Sequence, residues 1–293
     1  MSYLSKVVYT FLRVARFSRI IESKMLRNTL NKFPVEPGKR LCRRTRVVRL
    51  IISGRSVWEI STKDYQSDTL IVFLHGGAYV ANITRMHWNL IENLVEKTKA
   101  TLIVPDYPLA PESTWKSAYE FMDKLYSFLV ENYLGKKIVF VGDSAGGGLA
   151  LGFAQKLRDE RREIPKHLVI LSPWLDLCME DPDLETYERR DVILTLRGLR
   201  ACAKNYAGNT NLKYPYLSPI YGDFSGLCPI TIVTGTSDLI HLDSKKLREV
   251  LTKQNLPFNY FEYPDMFHDW IIFTFLPESK DAINRVCNVL RNT

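Results

Sequence analysis

Short apolar runs recur along this chain at the spacing of an alternating strand–helix protein. Near-continuous runs of β-branched and aliphatic residues are typical of strands that are buried on both faces of a parallel sheet. Segments with helical periodicity lie between the runs, for example at residues 87–97 and 117–131. An alternating segment at 258–263 adds a last strand, so the pattern predicts an α/β fold. The five apolar runs are residues 70–74, 101–104, 138–141, 168–171 and 230–233.

Polar or small residues directly follow each of these five runs. In open α/β sheets, ligands bind in the crevice outside the carboxyl ends of the strands. Because chemically capable residues fall at this edge in every segment, the sequence predicts one active site there. The five clusters are His75-Gly76-Gly77, Pro105-Asp106-Tyr107, Gly142-Asp143-Ser144, Ser172-Pro173-Trp174 and Gly235-Thr236-Ser237-Asp238.

The third cluster has the form of a nucleophile elbow. The apolar run 138–141 ends in Gly142-Asp143-Ser144-Ala145-Gly146, and small residues at helical spacing follow. This is a Gly-x-Ser-x-Gly motif in the strand–turn–helix setting that lifts a serine hydroxyl clear of the sheet. Glycine on both sides leaves room where the strand and the helix nearly touch. We therefore interpret Ser144 as a nucleophile and expect Asp143 to tie down the elbow or a lid.

A serine nucleophile needs a base, and the base needs an orienting carboxylate. On a sheet of this kind the expected chain order is Ser, then Asp or Glu, then His. Asp238 follows the run 230–233, and His268 follows the strand 258–263. The sequence therefore predicts Asp238 as the acid and His268 as the base. Three other carboxylates compete for the acid role, but none of them sits at a strand end: Asp243, Asp265 and Asp269.

Oxyanion donors are expected in the loop after the first run. Backbone N–H groups must be aimed at the charge that develops on the carbonyl oxygen. Gly76, Gly77 and Ala78 can supply such donors because no bulky side chain hinders the loop, and Ala145 adds the N–H that follows the nucleophile. We expect His75 to brace this loop. His87 and His167 are interpreted as structural or surface residues, and His241 lies too close to Asp238 in sequence to reach Ser144.

Two regions depart from the strand–helix rhythm, and we interpret both as parts of a lid. Residues 179–227 are rich in Asp, Pro, Tyr and Gly and have a helical pattern around 196–206. Residues 2–30 form an amphipathic helical stripe with basic residues on or beside its polar side. This stripe either packs on the body of the protein or contacts an anionic lipid surface. Its apolar positions are Leu4, Val7, Val8, Phe11, Leu12 and Ala15.

Charge and cysteine content narrow the class of protein. The net charge of +8 arises in residues 1–49, which hold 13 Lys and Arg against two Glu, while the remainder is slightly acidic. Such a localised excess, without a binding motif, argues against nucleic-acid recognition. The five cysteines are scattered, as in proteins of a reducing compartment, so we expect a cytoplasmic protein. No ligand-spaced cluster suggests a metal, and no stretch of eighteen apolar residues suggests a membrane span.

Taken together, these motifs resemble the hormone-sensitive-lipase family of α/β hydrolases, which includes microbial carboxylesterases and arylacetamide deacetylases. The resemblance runs from about residue 70 to 289. It implies a mostly parallel, eight-stranded sheet flanked by helices, with cap helices in residues 1–45 and a hydrolase domain in 46–293 that carries a cap insertion at about 179–227. The motifs that carry it are His75-Gly76-Gly77-Ala78-Tyr79, Asp106-Tyr107-Pro108-Leu109-Ala110-Pro111-Glu112, Gly142-Asp143-Ser144-Ala145-Gly146-Gly147, Ser172-Pro173-Trp174-Leu175-Asp176 and the segments around Asp238 and His268.

The same resemblance implies ester hydrolysis through an acyl-serine intermediate, with no metal or organic cofactor, and we expect a small, mostly apolar ester as the substrate. Three positions depart from the family pattern: Ala78 replaces a third glycine, Pro108 an arginine, and Leu242 an acidic residue. Substrate choice therefore stays open, and an amidase or deacetylase acting on aryl or formyl amides is an alternative. A non-catalytic binding protein is a further alternative. The strand 258–263 could also expose an edge through which two copies pair.

Overall fold

A computed structural model describes residues 1–293, and its centre is one eight-stranded sheet. The strand order is β1-β2-β4-β3-β5-β6-β7-β8. Strand β2 runs antiparallel to β1 and β4, whereas β3 to β8 are parallel. This confirms the predicted α/β-hydrolase fold. The strands are β1 (Thr45–Ile52), β2 (Arg55–Thr62), β3 (Thr69–Leu74), β4 (Thr101–Pro105), β5 (Lys137–Asp143), β6 (His167–Leu171), β7 (Ile230–Gly235) and β8 (Phe258–Tyr263).

Helices cover both faces of the sheet. Adjacent residues of β3 point into opposite hydrophobic clusters, Val72 into one and Phe73 into the other. The same alternation holds in β5, so the central strands are buried on both sides, as their continuous apolar runs predict. The helices are α1 (Tyr3–Val14), α2 (Phe17–Leu26), α3 (Lys39–Arg44), α4 (Arg85–Thr98), α5 (Trp115–Asn132), α6 (Ala145–Asp159), α7 (Leu184–Glu188), α8 (Leu196–Ala207), α9 (His241–Lys253) and α10 (Pro277–Arg291).

The first two strands form a hairpin that the apolar runs do not reveal. Strand β1 lies at the edge of the sheet and alternates between partly buried and exposed positions, with Arg46 and Arg49 within it. The hairpin turns at Ser53 and Gly54, both of which have positive φ. Two-residue turns with positive φ at both positions match the twist of paired strands. The edge position explains why β1 lacks a continuous apolar run. Strand β2 is mostly buried, but Glu59 and the polar residues at its ends interrupt its apolar positions.

The N-terminal amphipathic segment forms two helices, α1 and α2, instead of one. Most of the apolar side chains of α1 are exposed and do not pack on the protein. The helical conformation is interrupted at Arg16, whose φ is +50°. Helix α1 docks on α10 through polar contacts, since the Ser2 and Ser5 hydroxyls donate to Glu278 at 2.9 and 2.6 Å. Of the predicted apolar positions only Leu12 is buried. Val8 is partly buried against the same core, so only part of the apolar side of α1, with Leu4, Val7 and Phe11, faces solvent.

The N-terminal helices and the segment after β6 meet above the carboxyl ends of the strands. Helix α2 packs against α8, whose bounds agree with the predicted helical pattern at 196–206. The ring of Tyr206 in α8 stacks on Tyr79, with the ring centroids 3.7 Å apart, and so links α8 to the loop after β3. None of the helices is long and apolar enough to cross a bilayer.

Candidate active site

The turn between β5 and α6 holds Ser144 in a strained conformation. Its φ of +50° and ψ of −119° lie outside the regions that side-chain-bearing residues favour. A Cβ at Gly142 would overlap the backbone of Gly146, and one at Gly146 would overlap the carbonyl of Leu74. The motif glycines are therefore required by close backbone contacts, and these contacts fix the serine at the strand ends.

The structure brings Ser144, His268 and Asp238 together. Nε2 of His268 lies 2.9 Å from Oγ of Ser144, and Nδ1 lies 3.1 Å from each carboxylate oxygen of Asp238. All three residues are buried. A carboxylate at Nδ1 favours the tautomer that is protonated on that nitrogen, which leaves the Nε2 lone pair facing the serine hydroxyl. This geometry allows the imidazole to take the serine proton.

Of the three other carboxylates considered for the acid role, two lie away from His268 and one lies beside it. Asp243 is buried and accepts the N–H groups of Leu175 and Asp176 at 2.7 and 3.0 Å. Asp265 is exposed on the loop after β8. Asp269, in contrast, is buried directly beside the His268 imidazole, with Oδ2 3.1 Å from Nε2. The Nδ1 side of the ring therefore belongs to Asp238, and the Nε2 side has a carboxylate neighbour that the sequence analysis did not place there.

Gly76 has to be removed from the predicted oxyanion donors. Its N–H donates to Oδ2 of the buried Asp143 at 2.9 Å and so is already committed. The N–H groups of Gly77, Ala78 and Ala145 donate to no acceptor within the protein. Ala78 has a φ of +52°, a left-handed conformation. The glycine that is usual at this position in the family would adopt it without strain. Three free donors therefore remain beside the nucleophile.

Asp143 connects the nucleophile turn to the oxyanion loop and to α4. Its Oδ2 also accepts from Nε2 of His87 at 3.2 Å, while Nδ1 of His87 accepts the N–H of Thr84 at 3.0 Å. Burial lowers the pKa of His87, but the Asp143 carboxylate outweighs this and raises it. Asp143 thus anchors the elbow, as expected. The role of His87 has no signature in the sequence, because its partner lies 56 residues away.

His75 braces the oxyanion loop, as the sequence analysis expects. Its ring stacks on Tyr107 with the centroids 4.4 Å apart, and the Tyr107 hydroxyl donates to the His75 carbonyl at 2.6 Å. Burial lowers the pKa of His75 to about 4, so the ring is neutral. A neutral, stacked imidazole holds the backbone of the loop without adding charge to the site.

A second anchor, which the sequence analysis missed, is Asp191 in the segment between α7 and α8. One of its carboxylate oxygens accepts the N–H of Leu239 at 2.7 Å, and the other accepts the N–H of Ile193 at 2.7 Å. Leu239 follows Asp238 directly. Burial, reinforced by the nearby charge of Asp238, raises the pKa of Asp191 to about 7. Asp191 therefore ties the segment above the site to the loop that carries the acid.

A small apolar cavity of about 240 Å³ opens beside the nucleophile. Ser144, His268 and Asp269 lie on its polar side. No group of three His, Cys, Asp or Glu side chains is arranged to hold a metal ion. The apolar lining comes from both segments that we interpret as a lid, from the segment after β3 and from the region after His268: Phe17, Ile21, Met25, Leu30, Ala78, Ala81, Met86, Ile193, Leu194, Ile272 and Phe273.

Comparison with known proteins gives one consistent result. The α/β-hydrolase-fold family matches residues 71–272. An acetyl-hydrolase of Streptomyces hygroscopicus is 33% identical over 220 residues, which is 74% of this chain and 74% of that protein. An esterase of Acinetobacter venetianus is 30% identical over 73% of this chain and 72% of its own. The crystal structure of an esterase from the bacterial hormone-sensitive lipase family superposes with a TM-score of 0.85, at 26% identity, over 100% of this chain and 98% of that one.

Replacing Asp143 with alanine should lower kcat while leaving the serine and the imidazole in place. The change removes the acceptor for the Gly76 N–H, so the loop bearing the oxyanion donors loses its anchor. Loss of one oxyanion donor costs about 10²–10³ in kcat, and we expect a loss between about 10- and 10³-fold. Steady-state kinetics with a short ester measure it. Asp265→Ala, at an exposed carboxylate of a neighbouring loop, is the control; equal activity in the two variants would contradict the anchoring role.

Proposed function

This chain belongs to the hormone-sensitive-lipase family of α/β hydrolases and is a serine carboxylic ester hydrolase, and we propose that its substrates are small, mostly apolar esters with short acyl chains. The observation that carries this proposal is the cavity beside Ser144. Its volume of about 240 Å³ is below the range of about 300–1,000 Å³ typical of pockets for drug-sized ligands. Its lining is mostly apolar, so the substrate group that enters it has to be short and apolar.

We propose an acyl-serine mechanism for this hydrolysis. Ser144 Oγ attacks the ester carbonyl carbon while its proton passes to Nε2 of His268, and Asp238 stabilises the imidazolium through Nδ1. The N–H groups of Gly77, Ala78 and Ala145 hold the oxyanion. The tetrahedral intermediate collapses as the alcohol oxygen takes the proton from Nε2. Water then attacks the acyl-serine by the same route and releases the carboxylic acid.

Replacing Ser144 with alanine should reduce kcat for p-nitrophenyl acetate by several orders of magnitude. In serine hydrolases, removal of a triad member costs about 10⁴–10⁶ in rate. The assay follows release of p-nitrophenol from purified protein, with a thermal melt to show that the variant is folded. Full activity in the folded variant would remove Ser144 from the mechanism.

Acyl-chain preference tests the proposed substrate class. Across p-nitrophenyl esters of two to twelve carbons, kcat/KM should be at least about tenfold higher for acetyl or butyryl than for decanoyl, since each methylene that finds no room forfeits about 0.8 kcal/mol of burial. Met25→Ala, which shortens a cavity-lining side chain of α2, should shift the optimum towards longer chains. The control Leu134→Ala, at a loop residue that is 83% exposed, should not. A flat profile would contradict the short-acyl proposal.

We propose that the outward face of α1 rests on an anionic lipid surface. Its exposed apolar side chains, among them Tyr3, Phe11 and Val14 at 85%, 69% and 78% exposure, form one stripe along the helix. Lys6 and Arg13 lie beside the stripe on one side of the helix. A depression at the α1–α2 turn adds Arg16, Arg19 and Arg189, and it is also lined by Glu188 and Asp191. An apolar stripe bordered by cations fits the interface of an anionic bilayer.

Vesicle binding tests this face of α1. Binding to phosphatidylcholine vesicles that contain phosphatidylserine should exceed binding to pure phosphatidylcholine and should weaken as salt is raised. The double change Phe11→Ser and Val14→Ser should lower the affinity at least tenfold, because full burial of such side chains contributes about 1.5–3 kcal/mol each. Leu134→Ser is the matched control at an exposed apolar loop residue. Pairing of two copies through α1, detected by sedimentation without vesicle binding, would overturn the proposal.

Three further proposals concern the cap, the cellular compartment and the pairing of two copies. The two groups of lid elements, residues 1–45 and 179–227, form the proposed cap, since both line the cavity. All five cysteines are unpaired, which supports a reducing, cytoplasmic setting. Pairing of two copies through β8, which lies at the open edge of the sheet, stays a prediction.

A further inference from the structure

The catalytic imidazole has a second carboxylate that the acyl-serine mechanism does not use. Asp269 directly follows His268 and places Oδ2 3.1 Å from Nε2, the nitrogen that also lies 2.9 Å from Ser144 Oγ. The other oxygen of the carboxylate, Oδ1, is buried and has no hydrogen-bond partner. Nε2 can carry only one proton. The serine hydroxyl and the Asp269 carboxylate therefore make opposite demands on the same ring atom.

The backbone holds Asp269 in this position. Its φ of +51° is a left-handed conformation, and its carbonyl accepts the N–H of Ile272 within the short 3₁₀ helix that follows. Asp is among the few residues other than glycine that tolerate this conformation. Leaving a buried carboxylate oxygen unpaired is costly, and the only group with which the side chain of Asp269 pairs is Nε2 of His268. The contact is therefore best satisfied when the imidazole is protonated on both nitrogens.

We propose that Asp269 clamps His268 in its protonated form by charge, as an ion pair at Nε2, so that the imidazolium is held between two carboxylates and the base is released only as the ring loses this proton. The proposal deepens the proposed function and rests on His268 being its general base. In the clamped state Asp238 accepts from Nδ1 and the Asp269 carboxylate lies against the protonated Nε2 as its counter-charge, so Nε2 cannot accept the proton of Ser144. In the active state Nε2 has given its proton to solvent, and its lone pair faces the Ser144 hydroxyl.

The charges that face the ring from all sides favour the clamped state. Asp238 and Asp269 touch the ring, Asp191 lies behind Asp238, and Asp143 approaches from the end of β5, where it is paired with His87. Burial lowers the pKa of His268, but Asp269 and Asp238 outweigh it and raise the pKa well above its ordinary value. Burial also raises the pKa of Asp269, to about 6. The base is therefore available above the raised imidazole pKa, and activity is lost as the pH falls through it.

The pH profile of Asp269→Asn tests the clamp. Asparagine keeps the shape of the side chain and tolerates the left-handed backbone but removes the charge. An opposite charge at this distance changes a pKa by about one to three, so the midpoint of the acid limb of kcat/KM should fall by at least about one on the pH scale. At a fixed pH on this limb, activity relative to the alkaline plateau should rise about tenfold whenever the midpoint falls by one.

Asp265→Asn is the matched control, because Asp265 lies on the same loop with a φ of +62° but its side chain is 68% exposed. Its acid limb should stay where the unaltered enzyme has it. An unmoved limb in Asp269→Asn, or an equal movement in both variants, would overturn the clamp. A uniform loss of kcat at every pH with the limb in place would do the same, since it would mark a purely structural residue.

A titration without turnover separates this proposal from the proposed function. In Ser144→Ala, NMR of the His268 ring should give a pKa above that of an ordinary histidine, and adding Asp269→Asn should lower this pKa by about one or more. An unchanged ring pKa would refute the clamp even though Ser144→Ala had abolished hydrolysis. If Ser144→Ala kept full activity, the mechanism would fail instead, whatever the ring titration gave.

Discussion

The arrangement of the site depends on the close contact between the nucleophile turn and the loop after β3. Gly146 packs its Cα against the carbonyl of Leu74, and Gly76 donates to Asp143, the residue before the nucleophile. The strained backbone of Ser144 persists because these contacts on both sides determine it. As a result, the serine hydroxyl and the free N–H groups of the oxyanion loop are set by one rigid unit, and only the histidine has to be brought in from elsewhere.

Much of the fold and of the site could be predicted from the sequence because it depends on local sequence patterns. The parallel strands β3 to β7 each bury both faces and so appear as apolar runs, while the edge strand β8 appears as an alternating segment. The ends of these strands identify Ser144, Asp238 and His268 as candidates. Strand β1 lies at the edge, where burial alternates, and β2 carries Glu59 among its apolar residues, so neither strand of the hairpin has such a run. The outward stripe of α1 could not be foreseen either, since its docking depends on Glu278, more than 270 residues away.

Long-range hydrogen bonds explain why the roles of Gly76, His87 and Asp191 could not be predicted from the sequence. Gly76 resembles an oxyanion donor in sequence, but whether its N–H is free depends on Asp143, which lies 67 residues later. The partners of His87 and Asp191 are likewise reached only through the fold, at separations of 56 and 48 residues. Motif spacing identifies which groups can do chemistry. It does not decide which of them are already used to hold the others in place.

The carboxylates clustered at the strand ends have two opposing effects on the imidazole of His268. Each nearby negative charge makes the imidazolium more stable, which helps Nε2 to take a proton from serine in the transition state. The same charges also favour the protonated form of the ring before substrate binds, and a protonated ring cannot act as a base. Asp238 contributes to both effects from the side of the ring that does not react. Asp269 acts on the reacting nitrogen itself, so its geometry, more than the number of surrounding charges, determines which effect prevails at a given pH.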